Sequence, residues 1–165
     1  MIIDSESALL ELLGKPLDSS AVVRALQDLG FDAAPRRYEG RPEADVCARD
    51  HGLDITFTPA QALRDGHALG VPPNCLVASD LFFHPAGFEN YSAYRGVLPY
   101  GLNFALSRTA ARALLGSPSA SSSRGKNDRW DRGPFYLTLD FANDEQSIQQ
   151  VTLGLPWKPR VLHSA

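Results

Sequence analysis

Two segments of this chain end in nearly the same five residues, LLGKP at 12–16 and LLGSP at 114–118. In each segment, leucines at helical spacing precede a glycine and then a proline, which is the pattern that ends an α-helix. Similar strand-like runs follow, since LDITF at 53–57 resembles LTLDF at 137–141. The sequence therefore predicts a duplicated unit of about 80 residues, because one such layer has an apolar sheet face that it cannot cover alone.

The sequence leaves the register of this repeat open. SDLFFHP at 79–85 resembles QVTLGLP at 150–156, and the order of elements matches in both halves. LLGSP has two counterparts, which are LLGKP by its letters and the predicted helix 20–29 by its position before a hairpin. Chance similarity between short amphipathic segments is the alternative to duplication.

The first half is predicted to contain two helices and three strands. Leucines at helical spacing predict a helix over 5–13, and Val22, Leu26 and their neighbours predict a second helix over 20–29. The run ADVCARDHGLDITFTP is typical of a hairpin that turns at 50–52, and CLVASDLFFHP predicts a third strand that ends before Pro85. The order of this half is ααβββ.

The second half is predicted to repeat that order. Ser107 is a good N-cap for a short helix that ends at Gly116. The segment SPSASSSRGKND at 117–128 has the composition of a flexible polar loop, and three strands follow, the last two joined by a turn at 143–144. We expect an α+β fold with two tandem ααβββ-like units, at 1–96 and 97–165, forming one compact domain whose antiparallel sheet carries the helices on one face.

A family resemblance rests on Gly101, Ser107, the LLGSP at 114–118, Trp130 and the alternating strand 135–141. This pattern resembles the small α/β units of the beta-lactamase-inhibitor-protein type and of the small outer-membrane assembly lipoproteins. The resemblance covers most of 101–156 and, more faintly, 8–85. Two tandem units joined by YRGVLPYGL resemble the immunity-type proteins that bacteria keep beside their toxins. The resemblance implies a protein that binds another protein through the open face of a sheet and its loops.

Composition limits the classes of partner. The chain of 165 residues has a formal net charge of −3, which argues against nucleic acid because phosphate binding needs clustered lysine and arginine. No apolar run is long enough to span a membrane, and the start MIIDSESALLELL has no cationic leader, so we expect a cytoplasmic protein. Cys47 and Cys75 are expected to be buried free thiols, with a disulfide between them as the alternative.

No motif predicts an enzyme. The histidines stand apart, at 51, 67, 84 and 163, and neither HExxH nor CxxC occurs. No serine lies in a G-x-S-x-G elbow, and no glycine-rich phosphate loop is present. We therefore expect no catalytic residue, no metal and no cofactor. Among the histidines only His84, at a strand end near Asp80, is a candidate interface residue.

Aromatic and acidic residues are the candidates for a protein interface. Trp130, flanked by Asp128 and Asp131, is either a core tryptophan or an anchor for a basic partner. Phe82 and Phe83 must face opposite ways on a strand, so at most one of them enters a given core layer.

The function predicted from these observations is stoichiometric binding and neutralisation of a cognate bacterial toxin or effector. The alternative is an adaptor or chaperone for a secreted effector. The predicted partner-binding residues are Asp80, Phe83, His84, Trp130, Asp131 and Tyr136.

Overall fold

The computed structural model describes residues 9–30, 35–64, 67–68 and 70–158. Within these ranges two complete α-helices and eight β-strands follow one another along the chain. They are α1 (Ser20–Asp28), β1 (Arg36–Arg37), β2 (Ala44–Ala48), β3 (Leu53–Pro59), β4 (Leu76–Phe83), α2 (Arg108–Leu115), β5 (Ala120–Ser122), β6 (Asn127–Arg132), β7 (Phe135–Phe141) and β8 (Ile148–Gly154). Leu9 and Leu10 are also helical, whereas residues 5–8 of the predicted first helix lie outside the described residues.

Both helices begin where the sequence predicts. The Ser19 hydroxyl accepts a hydrogen bond from the Val22 N–H at the start of α1, and the Ser107 hydroxyl accepts one from the Ala110 N–H at the start of α2. Such side-chain acceptors satisfy backbone donors that have no partner within the helix. Gly116 ends α2 with a φ of 82°, a backbone conformation that glycine adopts without strain.

The eight strands form one antiparallel sheet in the order β1-β2-β3-β4-β8-β7-β6-β5. Strands from residues 1–96 make up one half of the sheet, strands from 97–165 make up the other, and the halves join where β4 pairs with β8. The predicted antiparallel sheet is therefore confirmed. The predicted ααβββ order is not confirmed, because in each half one complete described helix precedes four strands.

Strand β5, the first strand of the second half, was not predicted from the sequence, and this was the main error of the prediction. Ala120–Ser122 lies in the segment predicted to be a flexible loop, yet it pairs with β6 as the edge strand β5. The Ser121 hydroxyl accepts hydrogen bonds from Arg108 and Arg112, at 3.0 and 2.9 Å. These contacts with distant residues hold a segment whose local composition favours a loop, which is why composition alone misjudged it.

Strand pairing follows the same register in both halves. The β3–β4 register shifts between Thr56 and Phe57, and the β7–β8 register shifts between Asp140 and Phe141. These are the same two positions of the matched strings LDITF and LTLDF. Because a bulge bends its strand, the two hairpins bend the sheet at equivalent positions.

The same register corrects the match between SDLFFHP and QVTLGLP. Leu53 pairs with Phe83, and its equivalent Leu137 pairs with Leu153. Phe83 therefore corresponds to Leu153, whereas the letter match places it against Gly154. The alignment of SDLFFHP with QVTLGLP by sequence similarity was therefore wrong by one residue. In a strand, a shift of one residue assigns each side chain to the opposite face of the sheet.

The core lies between the sheet and the helices. One row of side chains crosses six strands on this helix-side face, and every member is at most 4% exposed: Val46, Ile55, Leu81, Leu153, Leu137 and Trp130. Val22 and Leu26 of α1 and Ala111 and Leu115 of α2 belong to the same hydrophobic cluster. Both helices thus cover one face of the sheet, and the other face is left without a helix among the described residues.

Candidate functional site

The face of the sheet opposite the helices, called here the open face, carries a continuous polar row. Cross-strand pairing aligns, from β2 to β6, the residues Asp45, Thr56, Asp80, Gly154, Tyr136 and Asp131. This row lies one residue along each strand from the buried row described above, as the alternation of side chains in a strand requires. The open face therefore has the polar composition of a surface that meets water or a partner.

Asp80 lies at the centre of the open face and is only 3% exposed. The bulge in β4 places Ser79 beside it, and the Ser79 hydroxyl donates a hydrogen bond of 2.7 Å to Asp80 Oδ2. Tyr136 donates its hydroxyl hydrogen to Asp80 Oδ1 from β7. Burial raises the pKa of Asp80, and hydrogen bonds from Ser79, Tyr136 and Trp157 oppose that rise.

Tyr136 is held at one face of its ring and at its hydroxyl. The Arg129 guanidinium lies 4.1 Å from the centre of the Tyr136 ring, and Arg129 Nε donates to Asp131 Oδ1 at 3.1 Å. Burial, followed by the charge of Asp80, raises the pKa of the Tyr136 phenol. Tyr136 is therefore a neutral hydrogen-bond donor over the whole physiological pH range.

A groove of about 680 Å³ runs over these residues, and it is called here the Asp80 groove. Its lining combines aromatic surface with charge: Thr56, Arg64, Asp80, Phe82, Arg129, Asp131, Tyr136, Pro156 and Trp157. A second groove of about 810 Å³ shares Thr56 and Trp157 with it and continues toward Tyr38, Glu43 and Asp45. The two grooves together cross most of the open face, which gives a concave surface with rings on its walls and carboxylates on its floor.

The structure brings together three of the six predicted partner-binding residues. Asp80, Asp131 and Tyr136 line the Asp80 groove. Phe83 and Trp130 are each 2% exposed and point to the helix side, where they belong to the hydrophobic core. Trp130 donates its indole N–H to the Gly116 carbonyl oxygen at 2.9 Å, which gives this buried polar group its partner.

His84 lies apart from the groove, directly after β4, and is 3% exposed. Its Nε2 is 3.1 Å from Asp54 Oδ2, an oxygen that also accepts a 2.6 Å hydrogen bond from the Tyr91 hydroxyl. The imidazole stacks on the Phe88 ring at a centroid distance of 5.6 Å. His84 and Tyr91 therefore join the strand end to the connection between the two halves, and Tyr94 does the same on the helix side through the Phe83 ring.

Asp128 is fully buried and does not contribute to an acidic surface beside Trp130. It accepts hydrogen bonds from Arg108 Nη2 at 2.8 Å and from Arg112 Nε at 2.7 Å, both on α2. Burial works to raise the pKa of Asp128, but the hydrogen bonds from Arg112 and Arg108 outweigh it and hold that pKa well below the usual range. This cluster fixes α2 to β6 and is structural.

Sequence reasoning did not name six residues of the groove as partner-binding residues, and these are Thr56, Arg64, Phe82, Arg129, Pro156 and Trp157. Thr56 and Arg129 were within reach, because strand alternation places each of them on the same face as Asp80 or Tyr136 once the register is known. The sequence required Phe82 and Phe83 to face opposite ways, but the choice of Phe83 for the interface was wrong: Phe83 lies in the core, and Phe82 is half-buried in the groove. Trp157 follows β8, and no local pattern indicates that it folds back over Asp80.

The described residues contain two free thiols and no cluster of three His, Cys, Asp or Glu side chains that could hold a metal ion. Cys47 is exposed on the open face, contrary to the expectation of a buried thiol, and Cys75 is half-buried. Burial, with the charges of Asp54 and Asp45, raises the pKa of the Cys47 thiol. A thiol in such surroundings is a poor nucleophile, because the thiolate is the reactive form.

Comparison with known proteins gives no relative. The chain matches no family model, no curated protein and no solved structure at a significant level. None of the helices in the described part of the chain is long and apolar enough to cross a membrane. The geometry of the open face is therefore the observation from which a function can be inferred.

Proposed function

We propose that this protein is an immunity or inhibitor protein that binds and neutralises a cognate bacterial toxin or effector by stoichiometric contact through its open face. The observation that carries the proposal is the pair of adjoining grooves across a sheet whose other face is covered by both helices. A concave surface with aromatic walls suits a protruding element of a partner protein.

The charges of the open face favour a basic partner. Strand positions on this face carry five aspartates and two arginines, namely Asp45, Asp54, Asp80, Asp131, Asp140, Arg36 and Arg129. Complementary charge speeds association and excludes partners of the wrong sign. A toxin whose active site is basic, such as a nuclease, fits this surface better than an acidic one.

The paired bulges and the shared register support the tandem-unit part of the proposal. We infer that residues 1–96 and 97–165 derive from one duplicated unit, of the kind that resembles the beta-lactamase-inhibitor-protein type. Joining the two units edge to edge produces a sheet wide enough for an interface of standard size, on the order of 1,600 Å² of total buried surface. We place this activity in the cytoplasm, where an immunity protein meets a toxin made in the same cell.

The experiment is a pull-down of the tagged protein from its native host, identification of the bound proteins, and an activity assay of the partner alone and in complex. We expect one partner in equal molar amount and an inactive complex. A bound partner that stays fully active would overturn inhibition and favour the adaptor or chaperone alternative.

The same experiment tests the open face with two charge reversals. Asp131→Arg changes the groove, where the Asp131 side chain is 63% exposed, and Asp28→Arg makes the same charge change at the exposed end of α1. We expect Asp131→Arg to weaken binding at least about tenfold, which corresponds to about 1.4 kcal/mol, and Asp28→Arg to leave it unchanged. The reverse order would place the interface on the helix side.

A further inference from the structure

We propose that the Asp80 groove is a recognition pocket for one cationic side chain, an arginine or lysine, presented by the partner protein. This inference rests on the proposed function, because it names the group that the partner would insert. Three features of the groove support this role: the carboxylate at its floor, the aromatic rings of its walls and the positions of its own cations.

The floor of the groove is a carboxylate without a cation. Among the ion pairs of the described residues none involves Asp80, although Asp54, Asp128, Asp131 and Glu145 each have one. Its partners are the uncharged groups of Ser79, Tyr136 and Trp157. A carboxylate has about four acceptor positions, so three neutral donors leave one open. Buried carboxylates are ordinarily paired with a cation, and Asp80 lines the groove, where a cation from a partner can approach it.

The walls of the groove suit a cation. Phe82, Tyr136 and Trp157 line the same groove as Asp80, and the faces of aromatic rings attract ammonium and guanidinium groups. Arg129 already lies over the Tyr136 ring, which demonstrates that this wall accepts a guanidinium. An incoming arginine or lysine would gain the same kind of contact from Phe82 or Trp157 and would donate a charged hydrogen bond to Asp80.

The groove's own cations lie at its rim and do not reach the floor. Arg129 is paired with Asp131, and Arg64 is exposed. An anion entering the groove would meet the Asp80 carboxylate at the deepest point, whereas a cation would meet opposite charge there. The order of charges from rim to floor therefore selects a basic side chain.

The test is an NMR titration of the whole protein with N-acetyl-arginine-N-methylamide and, in parallel, with the citrulline analogue, which has nearly the same shape and no charge. The chain has two tryptophans, so two indole N–H signals report on the binding. Trp157 lines the groove, and Trp130 is buried on the opposite face as an internal reference. We expect the arginine probe to move the Trp157 signal alone and the citrulline probe to move neither. Equal shifts with both probes, or no shift of Trp157, would overturn the inference.

Two variants assign the effect to the pocket. Asp80→Asn removes the charge at nearly constant shape, and Phe82→Leu keeps the apolar volume but removes a ring. Each is expected to weaken arginine binding about tenfold, or about 1.4 kcal/mol, and unchanged binding in both would contradict the pocket. If the arginine probe binds while no toxin is inhibited, the pocket stands and the proposed function fails. If a toxin is inhibited equally well by Asp80→Asn, the pocket fails and the proposed function stands.

Discussion

Tyr136 donates a hydrogen bond to Asp80 across the backbone of Gly154, so that two side chains from β7 and β4 meet above the intervening strand β8. The contact is open only because residue 154 has no side chain. A Cβ added there would lie 2.8 Å from the Tyr136 ring and would also overlap Asp80 Oδ1. The absence of a side chain at Gly154 therefore allows Tyr136 and Asp80 to make their hydrogen bond.

We expect Gly154→Ala to lower the free energy of unfolding by about 1–3 kcal/mol, the usual penalty for forcing a methyl group into a filled space. Urea unfolding followed by fluorescence measures the change. In a background that carries both Tyr136→Ala and Asp80→Ala most of the penalty should vanish, because both side chains that the methyl group meets are gone. A penalty of the same size in both backgrounds would show that the cause lies in the backbone of β8.

Asp80 should make the folded protein less stable as pH rises. Its pKa is raised in the folded state, so the folded protein holds its proton more tightly than the unfolded chain does. The resulting loss of stability begins as pH rises above about 3.9, the ordinary pKa of aspartate, and is complete once pH passes the raised value. Asp80→Asn removes this loss, and its stability relative to the wild type should improve as pH rises from acid to neutral.

Denaturant titrations at several pH values measure that difference, with Asp131→Asn as a control at an exposed carboxylate of the same groove. A stability difference between Asp80→Asn and the wild type that does not change with pH would contradict the argument. A stabilised but non-binding Asp80→Asn would show that the carboxylate is kept for binding at some expense of stability.

The adjacent residues Phe82 and Phe83 place their side chains on opposite faces of the sheet. Phe83 is 2% exposed in the core and contacts the Tyr94 ring, whereas Phe82 is half-buried in the groove. We expect Phe83→Ala to cost about 3–5 kcal/mol of stability and Phe82→Ala to cost less than half as much. Thermal unfolding measures both. Partner binding should respond in the opposite order, and a folded Phe82→Ala protein with wild-type affinity would exclude Phe82 from the interface.

The sequence predicted the strands well because alternating apolar residues reflect one buried face, which is a local property. LDITF and LTLDF form equivalent strands with bulges at the same position, and the helices begin at residue 20 and directly after Ser107, as predicted. The interpretation failed where pairing with distant residues decides the outcome. Edge strand β5 depends on Ser121 meeting two arginines of α2, which lie 13 and 9 residues earlier, and the polar composition of 117–128 does not indicate that contact.

The candidate site was predicted in part for a related reason. Asp80 and Tyr136 were named separately, from composition, and the cross-strand row that unites them requires the β4–β8 pairing between the two halves. Trp130 was open to two interpretations, and only the strand register decides that it faces the core. Trp157 could not be predicted as a site residue, because it follows the last strand and belongs to no helical or alternating pattern.

Asp128 is expected to be the most costly polar residue to replace. Asp128→Asn leaves Arg108, which is itself buried, without its main countercharge, and breaking such a pair costs about 3–5 kcal/mol. Because the folded-state pKa of Asp128 is lowered, the stability it contributes is present above about pH 3.9 and is lost as pH falls further. The free energy of unfolding should therefore fall steeply in the wild type as pH is lowered below about 3.9, and less steeply in Asp128→Asn. Denaturant titrations at several acidic pH values measure both.

Glu145→Gln provides the matched comparison. Glu145 also bonds Arg108, at 3.1 Å, but is partly exposed and leaves the Asp128 pair intact. We expect a much smaller loss of stability for this variant, measured by the same denaturant titration. Equal losses for the two variants would mean that the cluster stabilises the fold through Arg108 alone.

Cys47 offers a direct chemical test of which face binds the partner. It lies on the open face, paired with Asp54 across β2 and β3, and its side chain is exposed. In a Cys75→Ser background, a bulky maleimide attached to Cys47 should block partner binding, because the adduct stands beside the grooves. The reaction itself should be slow near neutral pH, since the raised pKa of this thiol keeps the thiolate scarce.

The control places the same adduct on the helix side, at Leu114→Cys in a chain without the two natural cysteines. Leu114 is 52% exposed on α2, so the substitution leaves the core unchanged. Affinity for the partner, measured by calorimetry before and after labelling, should survive at residue 114 and be lost at Cys47. Loss at residue 114 alone would move the interface to the helices, because an adduct can interfere only where the partner makes contact.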